Sequence, residues 1–118
     1  MKELRFPKLT RAEGRFIRQT SSRDSYGHVV LEVEPSISQD LAFSWEVQEA
    51  DIPREFHLAV QDGVTGWLKE ADLSCVSTII RVVGGSYNVT DSSALSYTIA
   101  AGFAFEEAVK NGGTVCGT

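Results

Sequence analysis

This chain is poor in the residues that usually carry chemistry. Its 118 residues include two cysteines, two histidines, three prolines and one methionine. No apolar run approaches the ~20 residues needed to cross a bilayer. The opening MKELR has no apolar core of the kind a secretory signal requires, so a cytoplasmic location is the expectation. Cys75 and Cys116 are far apart and belong to no CxxC pair. Cys75 opens an apolar run, where a thiol behaves as a small hydrophobe, and Cys116 lies in a glycine-flanked tail. Neither a disulfide nor a reactive thiol is expected. His28 and His57 have no second His or Cys at ligand spacing, so no metal site is expected.

Catalytic motifs are scarce as well. Ser92 or Ser93 can be combined on paper with His28 and Asp91 into a Ser–His–Asp set. Such residues occur in almost any domain, however, and the strained Gly-x-Ser-x-Gly elbow is absent. Asp91-Ser92-Ser93 reads better as a helix N-cap and first turn. Gly84-Gly85-Ser86 lacks the Lys-Ser/Thr ending of a phosphate-binding loop and does not feed a helix directly. The carboxylates are dispersed over strand and helix surfaces. No catalytic residue, no cofactor and no enzymatic activity is expected.

What is present is an uneven charge. The net charge is −5. Residues 1–23 hold Lys2, Arg5, Lys8, Arg11, Arg15, Arg18 and Arg23 against Glu3 and Glu13, a local balance of +5. Residues 24–118 hold four basic side chains against fourteen acidic ones, a balance of −10. This asymmetry permits a basic face on an acidic protein, one footprint of RNA contact. It is equally compatible with a solvated strand carrying scattered arginines.

The length is that of one domain, 1–118, able to bury roughly two thirds of the surface its unfolded chain exposes. Residues 15–20 (RFIRQT), 26–34 (YGHVVLEVE) and 42–47 (AFSWEV) alternate as strands, the second most clearly, with Val29, Leu31 and Val33 on one side. A helix is expected after Asp51, with Pro53 in its first turn and Phe56, Val60, Val64 and Trp67 or Leu68 as its stripe. Gly63 and Gly66 interrupt it, and close approach to a neighbouring element is the expected benefit. Residues 75–83 (CVSTIIRVV) read as a β-branched strand. A second helix is expected over 92–111, capped by Asp91, with Leu95, Ile99 and Phe103 as its stripe. Ala100, Ala101 and Ala104 favour tight packing, and Asn111-Gly112-Gly113 suits a left-handed end. The order β-β-β-α-β-α predicts an α+β two-layer sandwich: a mostly antiparallel four-stranded sheet with two helices on one face.

Two polar segments remain, TSSRDS followed by YGHV at 20–29, and GGSYNVTDSS at 84–93. An arginine, a tyrosine and small hydroxyls on exposed loops suit phosphate contact and base stacking, the way folded RNA is read. Two ordinary polar turns would have the same composition.

Three ordered blocks carry a family resemblance. AEGRFIRQ with TSSRDSYGHVVLEVEP, then IPREF with AVQDG, then GGSYNVTDSSALSYTIAAGFAFEEAV together resemble domain IV of elongation factor G over about residues 12–115. The resemblance implies a left-handed strand-helix-strand crossover, an exception to the usual hand. It further implies a tip formed by both loops that contacts the small ribosomal subunit, transfer RNA and messenger RNA. The residues it nominates are Arg18, Ser21, Ser22, Arg23, Ser25, Tyr26, Ser86, Tyr87 and Asn88. Departures are visible: serine and Asp24 replace the glycines of the first loop, Asn88 replaces a tip histidine, and the family's opening strand is not recognisable over 4–9. No GTPase segment precedes these residues, which leaves a free-standing homologue or an excised domain. A protein-interaction or structural module that kept the fold and lost RNA binding stays open as the alternative.

Overall fold

The computed structural model describes residues 1–20 and 24–117. Its strands are β1 (Lys2–Arg5), β2 (Thr10–Gln19), β3 (Asp24–Pro35), β4 (Leu41–Trp45), β5 (Leu73–Cys75), β6 (Thr78–Ser86) and β7 (Thr114–Cys116). Helix α1 spans His57–Ala71 after a single 3₁₀ turn at Arg54–Phe56, and α2 spans Ala94–Gly112. The main sheet has the order β2-β3-β6-β4, antiparallel except for the parallel pair β4 and β6. The expected α+β architecture is therefore present. The β4-α1-β6 unit is the one to which the resemblance assigns a left-handed connection.

A second sheet of three short strands, β5-β1-β7, is an addition the sequence pattern does not reveal. The segment in which no opening strand is recognisable supplies its centre, and Leu4 and Phe6 are buried in the core. Cys75 and Cys116 lie on opposite sides of β1. Two strand spacings, roughly 10 Å, put them beyond disulfide reach, and both thiols are free.

The alternation in β3 has the expected consequence. Val29, Leu31 and Val33 are buried against the helices, as are Ile80 and Val82 of the neighbouring β6. In α1, Val60, Val64 and Leu68 form the buried stripe, while Trp67 packs edge-on against Phe105 at 5.4 Å. The helix starts later than expected. The amides of Asp51 and Ile52 both donate to the Gln48 carbonyl, making a separate turn, and Pro53 opens the 3₁₀ segment instead.

Helix α2 departs from its predicted stripe. Leu95 and Phe103 are 67% and 45% exposed, and the buried face consists of Ser96, Tyr97, Ala100, Ala101, Ala104, Phe105 and Ala108. The cause is proximity. A Cβ on Gly14 of β2 would lie 2.2 Å from the Ala100 carbonyl oxygen and 2.4 Å from the Ala104 nitrogen. At that separation only small side chains fit, so alanine takes the place that periodicity gives to larger residues. The N-cap is Ser93, not Asp91. Its hydroxyl accepts from the Ser96 amide at 3.2 Å while the Ser96 hydroxyl accepts from the Ser93 amide at 2.9 Å. At the other end Gly113 is extended, with φ −78°, so the left-handed cap is not used. Close approach explains Gly63, where a Cβ would meet the Thr98 carbonyl oxygen at 2.3 Å, but not Gly66, which has open space.

Candidate nucleic-acid interface

The two polar segments meet. The hairpin between β2 and β3 and the loop from β6 into α2 are joined by the Tyr26 amide donating to the Asp91 carbonyl at 3.1 Å. Between them runs a cleft of about 780 Å³ lined by Phe16, Arg18, Ser25, Asp91, Ser93 and Leu95, among others. Strand β2 delivers Arg18 to its wall, with the guanidinium carbon 5.7 Å from the centre of the Phe16 ring. The cleft combines an apolar floor (Phe16, Leu95, Ile99) with a rim of hydroxyls, one arginine and two aspartates, Asp24 and Asp91. Such a surface can stack a planar group and donate to an anion at the same time.

The second loop is preorganised by its own side chains. Asn88 Oδ1 accepts from the Thr90 and Asp91 amides, each at 2.9 Å. The Ser92 hydroxyl accepts from the Asn88 amide at 3.0 Å, and the Ser92 amide returns a bond to the Asn88 carbonyl. Asn and Ser are suited to this because short polar side chains bond their own backbone nearby. Tyr87 lies against Phe56, with ring centres 6.0 Å apart, and Phe56 stacks further on Tyr97 at 4.8 Å. Burial raises the Tyr97 hydroxyl above its ordinary pKa, and that hydroxyl donates to the Ser86 carbonyl at 2.8 Å.

The nominated residues divide accordingly. Arg18 and Ser25 border the cleft, and Tyr87 and Asn88 lie on the second loop with Asn88 exposed. Tyr26 and Ser86 are half-buried, joined to each other by a 2.5 Å hydrogen bond on the sheet face away from the helices. Ser21, Ser22 and Arg23 lie outside the described residues. Thr90 and Asp91, members of the second polar segment, line the cleft as well, and Phe16 is a cleft residue that the sequence pattern does not mark. Alternation puts Phe16 on a strand face, and only the pairing of β2 with β3 shows that this face extends past the start of α2. Alternation puts His28 on the polar face. It does point away from the helices, yet it is only 9% exposed and hydrogen-bonded on both nitrogens. Among the described residues, no group of three or more His, Cys, Asp or Glu side chains is placed to hold a metal ion. No helix there is long and apolar enough to cross a membrane.

The described residues form a two-layer α+β body in which the start of β3 and the loop from β6 into α2 are joined by the Tyr26–Asp91 bond. The chain belongs to the family described as Elongation factor G, domain IV, whose model matches residues 1–113. It is 38% identical over 105 residues to elongation factor G of Petrotoga mobilis, covering 84% of this chain and 15% of that protein. It is likewise 38% identical over 109 residues to elongation factor G of Thermotoga neapolitana, covering 87% of this chain and 16% of the relative. A crystal structure from Thermus thermophilus superposes with a TM-score of 0.85 at 25% identity, over 97% of this chain and 18% of that one. The chain thus spans about one sixth of the length of these relatives.

Proposed function

We propose that this domain, 1–118, is a non-catalytic translation-factor module whose paired loops enter RNA of the small ribosomal subunit near the decoding region and contact transfer RNA or messenger RNA there. The observation that carries this reading is the junction of the loops, held by the Tyr26–Asp91 bond beside a cleft that offers Arg18 over an aromatic ring. In this reading Arg18 and Arg23 meet phosphates. Tyr26, Tyr87 and Asn88 address bases and riboses, while Ser21, Ser22, Ser25 and Ser86 donate or accept along the backbone. The work is done at a ribosome in the cytoplasm, without a bound cofactor. Family membership supports the ribosomal setting.

Phosphate contacts release counterions, so binding of the isolated domain is weak and salt-dependent. Sedimentation with small subunits at low salt is the direct test. Charge reversal at Arg18 or Arg23 should weaken association and flatten its salt dependence by about one unit of slope per lost contact. Absence of any association at low salt, or association indifferent to both substitutions, defeats the proposal.

A second reading has its own observation. Ile17, Val89 and Leu95 are large apolar side chains that stay exposed near the same loops, as they would on a protein-interaction module that had lost RNA binding. In that case Leu95→Ser abolishes capture of a protein partner and Arg18→Glu does not.

A further inference from the structure

One connected group of side chains lies beside the tip without belonging to the cleft. Gly14 and Gly27 press against α2, so by strand alternation Glu13 and Arg15 of β2 and Tyr26 and His28 of β3 project from the other face of the sheet. Ser86 of β6 is the register partner of His28. His28 Nε2 lies 3.0 Å from Glu13 Oε2 and its Nδ1 lies 2.9 Å from Ser86 Oγ, which in turn lies 2.5 Å from Tyr26 Oη.

Hydrogen-bond chemistry gives this chain a direction. A carboxylate only accepts, so a neutral His28 carries its hydrogen on Nε2 and donates it to Glu13. Nδ1 is then a lone pair and accepts from the Ser86 hydroxyl. Ser86, having given its hydrogen, accepts from Tyr26, whose hydroxyl hydrogen is thereby directed inward. When His28 takes up a proton, Nδ1 becomes a donor as well. Ser86 accepts from it and turns its own hydrogen to the Tyr26 oxygen. The tyrosine hydrogen is then free to point out of the chain. No heavy atom has to move and no bond other than N–H forms.

We infer that Glu13, His28 and Ser86 are positioning residues, a relay through which the charge on His28 decides whether the Tyr26 hydroxyl is spent internally or offered to an acceptor such as a base or ribose oxygen. Tyr26 as a contact rests on the proposed function above; the relay itself does not. The charged and titratable groups facing His28 are Glu13 and Arg15 from β2 and Tyr26 from its own strand, while β6 contributes the uncharged Ser86.

The test uses the whole chain with isotope-labelled histidine and tyrosine, followed by NMR across pH. The expected neutral form is the Nε2–H tautomer, and the Tyr26 ring carbon bearing the hydroxyl should shift with the same midpoint as His28. In Ser86→Ala the tyrosine transition is lost while His28 still titrates, and Ser86→Thr restores it. An Nδ1–H tautomer, a flat Tyr26 signal, or a transition that persists in Ser86→Ala overturns the relay. Should Ser86→Ala fail to fold, the tautomer and the shared midpoint in the unmodified chain decide. Small subunits titrated on either side of the midpoint then test the consequence: binding tightens on the acidic side for the unmodified chain and not for Tyr26→Phe. Binding that ignores pH while the relay operates overturns the positioning role. Absence of binding at any pH counts against the RNA reading and leaves the relay measurement standing.

Discussion

Two glycines three residues apart on one helix should respond to the same substitution with opposite signs. A Cβ added at Gly63 would sit 2.3 Å from the Thr98 carbonyl oxygen, 2.8 Å from Ala101 Cβ and 3.1 Å from the Gly102 nitrogen. Two of these neighbours are backbone and the third is a methyl with no rotamer, so relief requires the helices to separate. Overpacking of a close-packed contact costs about 1–3 kcal/mol, and a clash with backbone belongs at the upper end. Separation also strains the Thr98 hydroxyl bond to the Ala59 carbonyl, 3.0 Å across the same crossing. Against this, alanine gains about 1 kcal/mol over glycine in a helix interior. The net expectation for Gly63→Ala is a loss of about 2 kcal/mol. Gly66 has nothing within 4 Å of the added carbon, so Gly66→Ala keeps the propensity gain of up to about 1 kcal/mol. With an unfolding entropy of about 2.1 cal/mol/K per residue, a domain of this size shifts its Tm by about 4 °C per kcal/mol. Thermal melts by circular dichroism should then show Gly63→Ala about 8 °C lower and Gly66→Ala about 3–4 °C higher than the parent. If Gly63→Ala melts at or above Gly66→Ala, the α1–α2 crossing is not as tight as described.

Asn88→Ala removes the acceptor of two loop amides. It should cost about 1 kcal/mol and raise hydrogen exchange at Thr90 and Asp91, measurable by NMR, with little change at β3. The hydrogen bond from His28, with Arg15 and Arg11 nearby, holds the Glu13 carboxyl below its ordinary value of 4.5. A lowered carboxylate stabilises the fold above the unfolded-state pKa and loses that contribution as pH falls through the folded-state value. Glu13→Gln should accordingly weaken the dependence of Tm on pH below about 4.5, and an unchanged acid limb would refute the assignment. Burial raises the Cys75 thiol, whereas Cys116 is exposed. A thiol reagent at neutral pH should therefore modify one cysteine in the native protein and the second only on unfolding; prompt reaction of both would contradict the burial of Cys75.

The main sheet is legible in the sequence because its central strands carry enough residues for a period to register. Val29, Leu31 and Val33 announce a face, and Ile80 with Val82 announces the strand that pairs with it. The stripe of α2 misleads for a physical reason: Leu95, Ile99 and Phe103 are the larger side chains, but the helix is drawn so close to Gly14 that alanines occupy the contact. Hydrophobic periodicity weighs size, and this interface selects for smallness. The small sheet is invisible since Leu73–Cys75 and Thr114–Cys116 are too short to alternate. Asp91 loses the cap to Ser93 because the Ser93 and Ser96 hydroxyls each accept from the other's amide, while the Asp91 carbonyl accepts from Tyr26, a pairing between segments far apart in the chain. At the tip, residue types name the loop members, while the contribution of Phe16 and the linkage of His28 to both Glu13 and Ser86 depend on strand register. Register is set by the whole sheet and leaves no mark in a local window.

The three-stranded sheet also has a kinetic meaning. Its central strand is made before either neighbour, one of which comes from Leu73–Cys75 and the other from Thr114–Cys116. During synthesis Leu4 must therefore wait for Leu73–Cys75 on one side and Thr114–Cys116 on the other, and Phe6 for its contact with Phe105. Closure over such a distance in sequence is slow compared with hairpin formation, which leaves Leu4 and Phe6 unburied for longer than the residues paired between β2 and β3.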